Sequence, residues 1–286
     1  MKLLISSTDL TERGHPSTGD LSLVRAATSK GLESKVVDPT GVTYCFENNG
    51  ELRVFYDSED VSKTDLVLFR RTRGAELESY QFAKAMEETG ARVIDPAESL
   101  IYPTSKLVTQ ISRGTKYLPK TFFVNSTQEK EIQRIVEELS FPMAVKPQQG
   151  TMGKGFAKIS SYSELQSYLQ KYRSAFLIVQ EYLDIVTLKR ILLLGKKWAG
   201  SSFLMGTTDY DNSRKFEKIG EEVAQSSPTE ILGVDVAKTS NERYFVLEAN
   251  RNPNFTRMTE GTEFYASKIV DYLISQKKSK GFWRIE

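Results

Sequence analysis

"AVKPQQGTMGKGF", residues 144–156, begins like a buried strand, puts Lys146 where the strand ends, and runs into three glycines within six residues. It is not a Walker A loop, because Gly153-Lys154 continues into Gly155 instead of Ser or Thr, and it has no G-x-G-x-x-G fingerprint. The residues after it, "GFAKIS", have a strand pattern, so the loop joins two antiparallel strands. A glycine-rich hairpin of this kind can lie over a nucleotide and offer backbone N–H groups to phosphate oxygens, with Lys146 as a fixed positive charge beneath it. A loose hairpin with a surface lysine reads equally well from these residues alone.

Further along, "ILGVDVAKTSNERYFVLEANRNPN" (231–254) predicts two strands joined by a turn at Thr239 to Glu242. Asp235 and Glu248 fall on the two strands, and Asn250, two residues after Glu248, faces the same side as Glu248. That gathers two carboxylates and a carboxamide oxygen on one sheet face, a set that suits magnesium, with phosphates and water as the remaining ligands. The apolar flanks predict that both acids are buried and in need of a partner or a metal. The competing reading is two surface acids on an exposed sheet. "LIVQEYL" (177–183) is an apolar strand whose end can pair with an adenine edge, although a plain core strand explains it as well.

Outside these stretches the pattern divides in two. Up to residue 95, short apolar strands ("KLLIS", "SKVVD", "DLVLF", "ARVID") alternate with helical stretches such as "GDLSLVRAATSKG" and "AELESYQFAKAMEETG". That predicts a parallel α/β sheet, with a side hairpin turning at Asn48-Asn49-Gly50. From residue 96 onward the pattern is α+β with antiparallel strands. It includes helices over "SKLVTQISRG", over "STQEKEIQRIVEELS" (capped by Ser126 or Thr127), over "SYSELQSYLQKY" and over "TEFYASKIVDYLISQ". "VTLKRILLLG" and "KKWAGSSFLMG" read as an antiparallel pair turning at Gly195.

Composition excludes several classes. The chain has 286 residues, about two domains' worth, with 39% hydrophobic and 27% charged residues. Its 39 Lys+Arg against 37 Asp+Glu make no case for nucleic-acid binding by bulk charge. One cysteine, Cys45, and one histidine, His15, exclude an intrachain disulfide and a Cys/His zinc site within one chain. Cys45 reads as a small hydrophobe and His15 as a loop residue. No segment has the roughly 18 apolar residues of a membrane helix, and the short apolar run at the start does not read as a signal peptide; a cytoplasmic protein is expected.

Taken together and in this order, "AVKPQQGTMGKGF", "LIVQEYL", "KRILLLG", "GVDV" and "VLEANRNPN" resemble the ATP-grasp superfamily. The closest type looks like the RimK-like amino-acid ligases, with glutathione synthetase more distant. "LVLFRRTRG" and "FAKAMEETGARVIDPAESLIYPTSKL" extend the likeness to the N-terminal part, so it covers nearly the whole chain. The resemblance implies an N-terminal pre-ATP-grasp α/β domain (1–95), a central subdomain with the glycine-rich lid (96–183) and a C-terminal subdomain with the metal site (184–286).

It also implies site residues. Lys106 and Lys146 match the two phosphate-binding lysines, and Gly150, Thr151, Met152, Gly153, Lys154 and Gly155 the closing loop. Gln180, Glu181, Tyr182, Leu183 and Asp184 match the adenine hinge and ribose contact. Arg190 matches the arginine facing the γ-phosphate, and Asp235, Glu248 and Asn250 the metal ligands. Arg70, Arg71 and Arg73 match a basic loop at the edge of the active site, although "RRTRG" reads equally as a solvated basic loop. Asn254 falls on the substrate side, and Asn212 and Arg214 resemble the family's substrate-side run in kind but in another order. The implied cofactors are ATP and magnesium, with manganese as an alternative.

The implied chemistry is carboxylate–amine ligation through an acyl phosphate, on an amino acid or a peptide or protein substrate. The implied partners include no nucleic acid and no membrane, and a homo-oligomer is compatible with the pattern. Two alternatives stand beside it: a ligase forming side-chain amide or ester links in a precursor peptide, and a catalytically silent ATP-binding module. Two departures from the family stand out. Only "SSPTEILG", one short turn, separates Val223-Ala224-Gln225 from Val234-Asp235 where the family has a helix of several turns. The family's Arg-Ser-Asn run is replaced by "GTTDYDNSRKFEKIG", which leaves the transferred amino acid open.

Overall fold

The computed structural model describes residues 1–8, 10, 14–101, 116–124, 129–148, 155–172 and 176–277. Lys106 and the helix expected around it, the Ser126 or Thr127 cap, the loop residues 150–154 and the tail from 278 lie outside these.

The first part contains β1 (Lys2–Ser6), α1 (Thr18–Ser29), β2 (Glu33–Val37), β3 (Thr43–Phe46), β4 (Leu52–Tyr56), β5 (Glu59–Asp60), β6 (Leu66–Phe69), α2 (Glu76–Glu88) and β7 (Arg92–Ile94). Strands β2-β1-β6-β7 form the expected parallel sheet, and β3-β4-β5 a small antiparallel one. Helix α1 starts at Ser17, whose side chain accepts from the Asp20 amide at 3.2 Å. Its Leu23, Ala26 and Ala27 share one face and bury it. Cys45 is exposed on β3.

The middle part contains β8 (Thr121–Val124), α3 (Glu129–Leu139), β9 (Met143–Pro147), β10 (Ala157–Ile159), α4 (Tyr162–Lys171) and β11 (Leu177–Glu181). These strands form an antiparallel sheet ordered β10-β9-β11-β8. Val145, Met143 and Val179 pack against α3 and α4. Alternation therefore sends Ala144, Lys146, Ile178 and Gln180 to the other face.

The last part contains β12 (Ile185–Leu194), β13 (Lys197–Phe203), α5 (Lys215–Gln225), β14 (Ile231–Thr239), β15 (Tyr244–Asn250) and α6 (Thr262–Lys277), with an antiparallel sheet ordered β13-β12-β14-β15. Helix α5 corrects one expectation: a helix of three turns does precede the strand bearing Asp235. Phe216, Ile219, Gly220, Val223 and Ala224 recur at helical spacing and are buried. The turn "SSPTEILG" follows that helix and does not replace it. Under α5, Lys189 and Glu217 form a buried ion pair at 2.8 Å.

Helix α6 crosses back to the first part. Leu3, Ile5 and Leu23 share one core with Leu192, Ile231, Ile269 and Leu273. Asp95, just after β7, strengthens this join, because its carboxyl accepts from the Glu230 amide at 2.5 Å and the Ile231 amide at 3.4 Å. Burial pushes the Asp95 carboxyl up to about 7, with Arg251 opposing the shift and Glu230 adding to it. A raised carboxyl favours the folded state while protonated, so this stabilisation is present below about pH 4 and is lost as pH rises through about 7. Asp95→Asn keeps the accepting oxygen and cannot ionise. Across that window the wild type is expected to lose on the order of 4 kcal/mol of unfolding free energy relative to this variant, read from urea midpoints.

Candidate active site

The C-terminal sheet lines up one row of side chains across its strands. Ser202 pairs with Arg190, Arg190 with Asp235, and Asp235 with Glu248. Residues directly opposite on neighbouring strands point to the same face. The Arg190 guanidinium meets Asp235 as a fork, Nε to Oδ1 at 2.7 Å and Nη2 to Oδ2 at 2.7 Å. Burial pushes the Asp235 carboxyl up, with Arg190 opposing and Glu248 adding to the shift. Hydrogen bonding to Asp235 raises Arg190 in turn, which stays cationic.

Glu248 owes its place to a β-bulge. Val236 pairs with Val246, whereas Asp235 pairs with Glu248, so β15 carries one extra residue, Leu247, between them. Without it, Glu248 would stand opposite Val234 and face the α5 side. Asn250 pairs with Gly233, the next position on the Asp235 face. The expectation that both acids are buried is half met: Asp235 is buried and Glu248 is exposed. Glu248 has no hydrogen bond or ion pair among the described residues. Two carboxylates and a carboxamide on one face form the oxygen donor set that a hard divalent cation takes. Among the described residues no group of three or more His, Cys, Asp or Glu forms, so such an ion would draw its other ligands from phosphate and water.

Gly233 sets the height of the loop above this face. A Cβ there would lie 2.5 Å from Pro253 Cβ. Gly233→Ala is therefore expected to lift the 251–254 loop and to destabilise the protein by about 1–3 kcal/mol, measured by urea unfolding.

On the middle sheet, Lys146 stands opposite Ile178 on the face away from α3 and α4, beside Ala144 and Gln180. The Gln180 amide donates to Thr121 Oγ1 at 2.7 Å. Gly155 closes the glycine loop, with φ +79° and room for no side chain, since a Cβ would lie 2.7 Å from Pro147 Cδ. Tyr168 hydroxyl donates to the Gly155 carbonyl. The loop's exit is thus held against its entry at Pro147.

The segment Glu181 to Asp184 links this sheet to β12. Glu181 accepts from the Lys120 amide at 2.8 Å, Lys158 lies 4.3 Å over the Tyr182 ring, the Leu183 carbonyl accepts from Ile185, and the Asp184 carbonyl accepts from Ser240.

The remaining expected positions divide. Arg70 is buried, 3.5 Å from Asp20 and stacked at 4.9 Å on Phe255, and burial pulls its pKa down to about 10. Arg71 is half-buried and Arg73 exposed in the same loop. Asn254 is exposed and accepts from the Thr256 amide at 3.1 Å and hydroxyl at 2.8 Å. Asn212 is exposed in the loop before α5. Arg214 precedes α5 and lies 5.5 Å over the Trp198 ring, so the fold does not gather it with Arg190. Arg251 was missed from sequence; its signal was a lone cation inside the otherwise polar "EANRNPN" run.

No protein-family model matches the chain. It is 25% identical over 225 residues to the coenzyme gamma-F420-2:alpha-L-glutamate ligase of Methanocaldococcus jannaschii, covering 71% of this chain and 77% of that protein. A RimK domain ATP-grasp protein from Sphaerobacter thermophilus superposes with TM-score 0.67 at 16% identity, covering 96% of this chain and 100% of that one. The ATP-grasp ligase PsnB, solved with minimal precursor, Mg and ADP, superposes with TM-score 0.72 at 16% identity over 96% of this chain and 97% of that one. The fold is that of the ATP-grasp proteins.

Proposed function

We propose that this chain, an ATP-grasp protein of the RimK-like type, is an ATP-dependent carboxylate–amine ligase that works through an acyl phosphate and releases ADP and phosphate. The observation that carries the reading is the row Arg190–Asp235–Glu248 with Asn250 beside it, a cation and an oxygen donor set on one sheet face. In this reading Asp235, Glu248 and Asn250 would hold a magnesium ion, which supplies charge neutralisation for the phosphates. Arg190 stabilises the negative charge on the transferring phosphoryl oxygens. Lys146 binds phosphate from the middle sheet, and the likeness to the family assigns further phosphate contacts to Lys106 and residues 150–154, which lie outside the described residues. The main chain of Glu181 to Leu183 takes the adenine edge. Arg71 and Arg73 receive the acid, whose carboxylate oxygen attacks the γ-phosphorus and displaces ADP. An amine then attacks the acyl carbon and displaces phosphate. No nucleophilic side chain is required, because positioning and electrostatics lower the first barrier.

PsnB was also solved with precursor peptide PsnA2 and AMPPNP, which supports a peptide-borne carboxylate as the second reading. One experiment tests both. The protein is incubated with magnesium-ATP, hydroxylamine and a panel of amino acids and acidic peptides. ADP together with a hydroxamate is expected, and the panel member that yields it identifies the acid class. AMP with pyrophosphate, or tight ATP binding without ADP formation on any carboxylate, would overturn the ligase reading.

A further inference from the structure

Asn250 and the basic loop 70–73 belong to elements far apart in the chain, yet one side chain spans them. Arg251 follows Asn250 directly. Its guanidinium donates to the Phe69 carbonyl at 3.0 Å, the Arg70 carbonyl at 3.4 Å and Thr72 Oγ1 at 3.0 Å. Those acceptors bracket Arg71, at the carboxyl end of β6 where the strand order of the parallel sheet reverses. Burial pulls the Arg251 pKa down and the Asp95 carboxyl opposes that shift, so the charge is held inside the join.

The residues after Arg251 reinforce this span. Pro253 rests on Gly233, one same-face position from Asp235. Phe255 is buried beneath the Arg70 guanidinium, and Thr256 reaches Gly19 at the start of α1. The loop therefore touches the Asp235 face on one side and the β1–β6 switch point on the other. It also keeps two polar atoms, Arg251 Nε and Asn252 Oδ1, shut from solvent with no partner among the described residues. Orphaned polar groups destabilise a fold, and they persist where position matters more than stability.

We propose that Arg251 is a positioning residue for the ligation step: it fixes the distance between the Arg71/Arg73 loop that receives the acid and the Asp235/Glu248/Asn250 face that receives the phosphates. The proposal rests on the ligase reading above. In-line attack needs reacting atoms about 3–3.5 Å apart, and a displacement of about 1 Å costs on the order of 10²-fold in rate. A lysine at this position keeps the charge but cannot reach three acceptors in a planar fork.

The test uses Arg251→Lys and, as a milder variant that keeps the guanidinium, Thr72→Val. Three quantities are measured on the full chain: kcat for hydroxamate formation, the Kd for magnesium-ADP, and amide hydrogen exchange over residues 69–75 with magnesium-ADP present. For Arg251→Lys, kcat is expected to fall about 100-fold. The Kd should stay within about threefold, and exchange over 69–75 should speed up about tenfold. Thr72→Val should shift kcat and exchange in the same direction by less. Wild-type exchange and kcat in Arg251→Lys would overturn the proposal, as would a loss of nucleotide affinity in step with kcat, which marks a general structural role. Exchange and nucleotide affinity do not depend on turnover. Failure to find any acid substrate would therefore sink the ligase reading and the ligation role with it, while those two readouts would still show whether Arg251 holds the 69–75 loop in place.

Discussion

Glu248→Gln is expected to lower kcat by on the order of 10³-fold while leaving the fold unchanged, because on the proposed ligase reading it removes charge from the face that would hold magnesium, at a site that packing does not use. Glu248 is exposed and makes no hydrogen bond or ion pair among the described residues, so the amide replaces the carboxylate without leaving a buried group unsatisfied. Its urea midpoint should match the wild type within error. Apparent affinity for magnesium-ATP should weaken together with kcat, since on that reading the lost oxygen anion would ligate the metal that neutralises the phosphates. Undiminished turnover would refute the assignment of Glu248 to the metal face. A large loss of stability would show that its carboxylate has a structural role as well.

Arg190→Ala should do what Glu248→Gln does not, losing both stability and turnover. It removes two charge-assisted bonds of 2.7 Å from Asp235, whose side chain is 10% exposed. Breaking a buried ion pair from one side is destabilising by about 3–5 kcal/mol, because the remaining charge is left uncompensated. The lower end, about 3 kcal/mol, is expected since the Arg190 side chain is 19% exposed. Arg190→Lys should recover part of the stability and little of the rate, because an ammonium restores charge but not the planar fork. A urea midpoint for Arg190→Ala equal to the wild type would show that the pair contributes nothing to the fold.

The element order was largely legible in the sequence. Alternating apolar strands and helices before residue 95, and hairpin patterns after it, gave the parallel and antiparallel sheets, because periodicity reports which faces are buried. The reading failed at α5. "KFEKIGEEVAQ" has apolar residues at helical spacing, but its first half counts with the run that replaces Arg-Ser-Asn, and the sequence reading assigns no helix there. The buried pair Lys189–Glu217 shows the difficulty: two charges in sequence read as solvent-facing, and only the helix lying across the strand brings them together.

Arg70 shows the same limit from the other side. In "RRTRG" the three arginines look alike, but the strand end turns Arg70 inward to Asp20 and Phe255 while Arg73 stays in solvent.

The sequence by itself determined which residue types lie on which strands: the lysine before the glycine loop, the arginine in "KRILLLG", and the acids in "GVDV" and "VLEAN". Two-residue periodicity also placed Glu248 and Asn250 on a common side. That Asp235 shares this side, as expected, depends on the bulged register of β14 with β15, which periodicity does not encode. Strand periodicity is blind to an inserted residue, and one such residue, Leu247, reverses every side chain beyond it. The reach of Arg251 to the β6 loop was equally invisible, because its partners lie about 180 positions earlier and become neighbours only when α6 and Asp95 join the two ends of the chain.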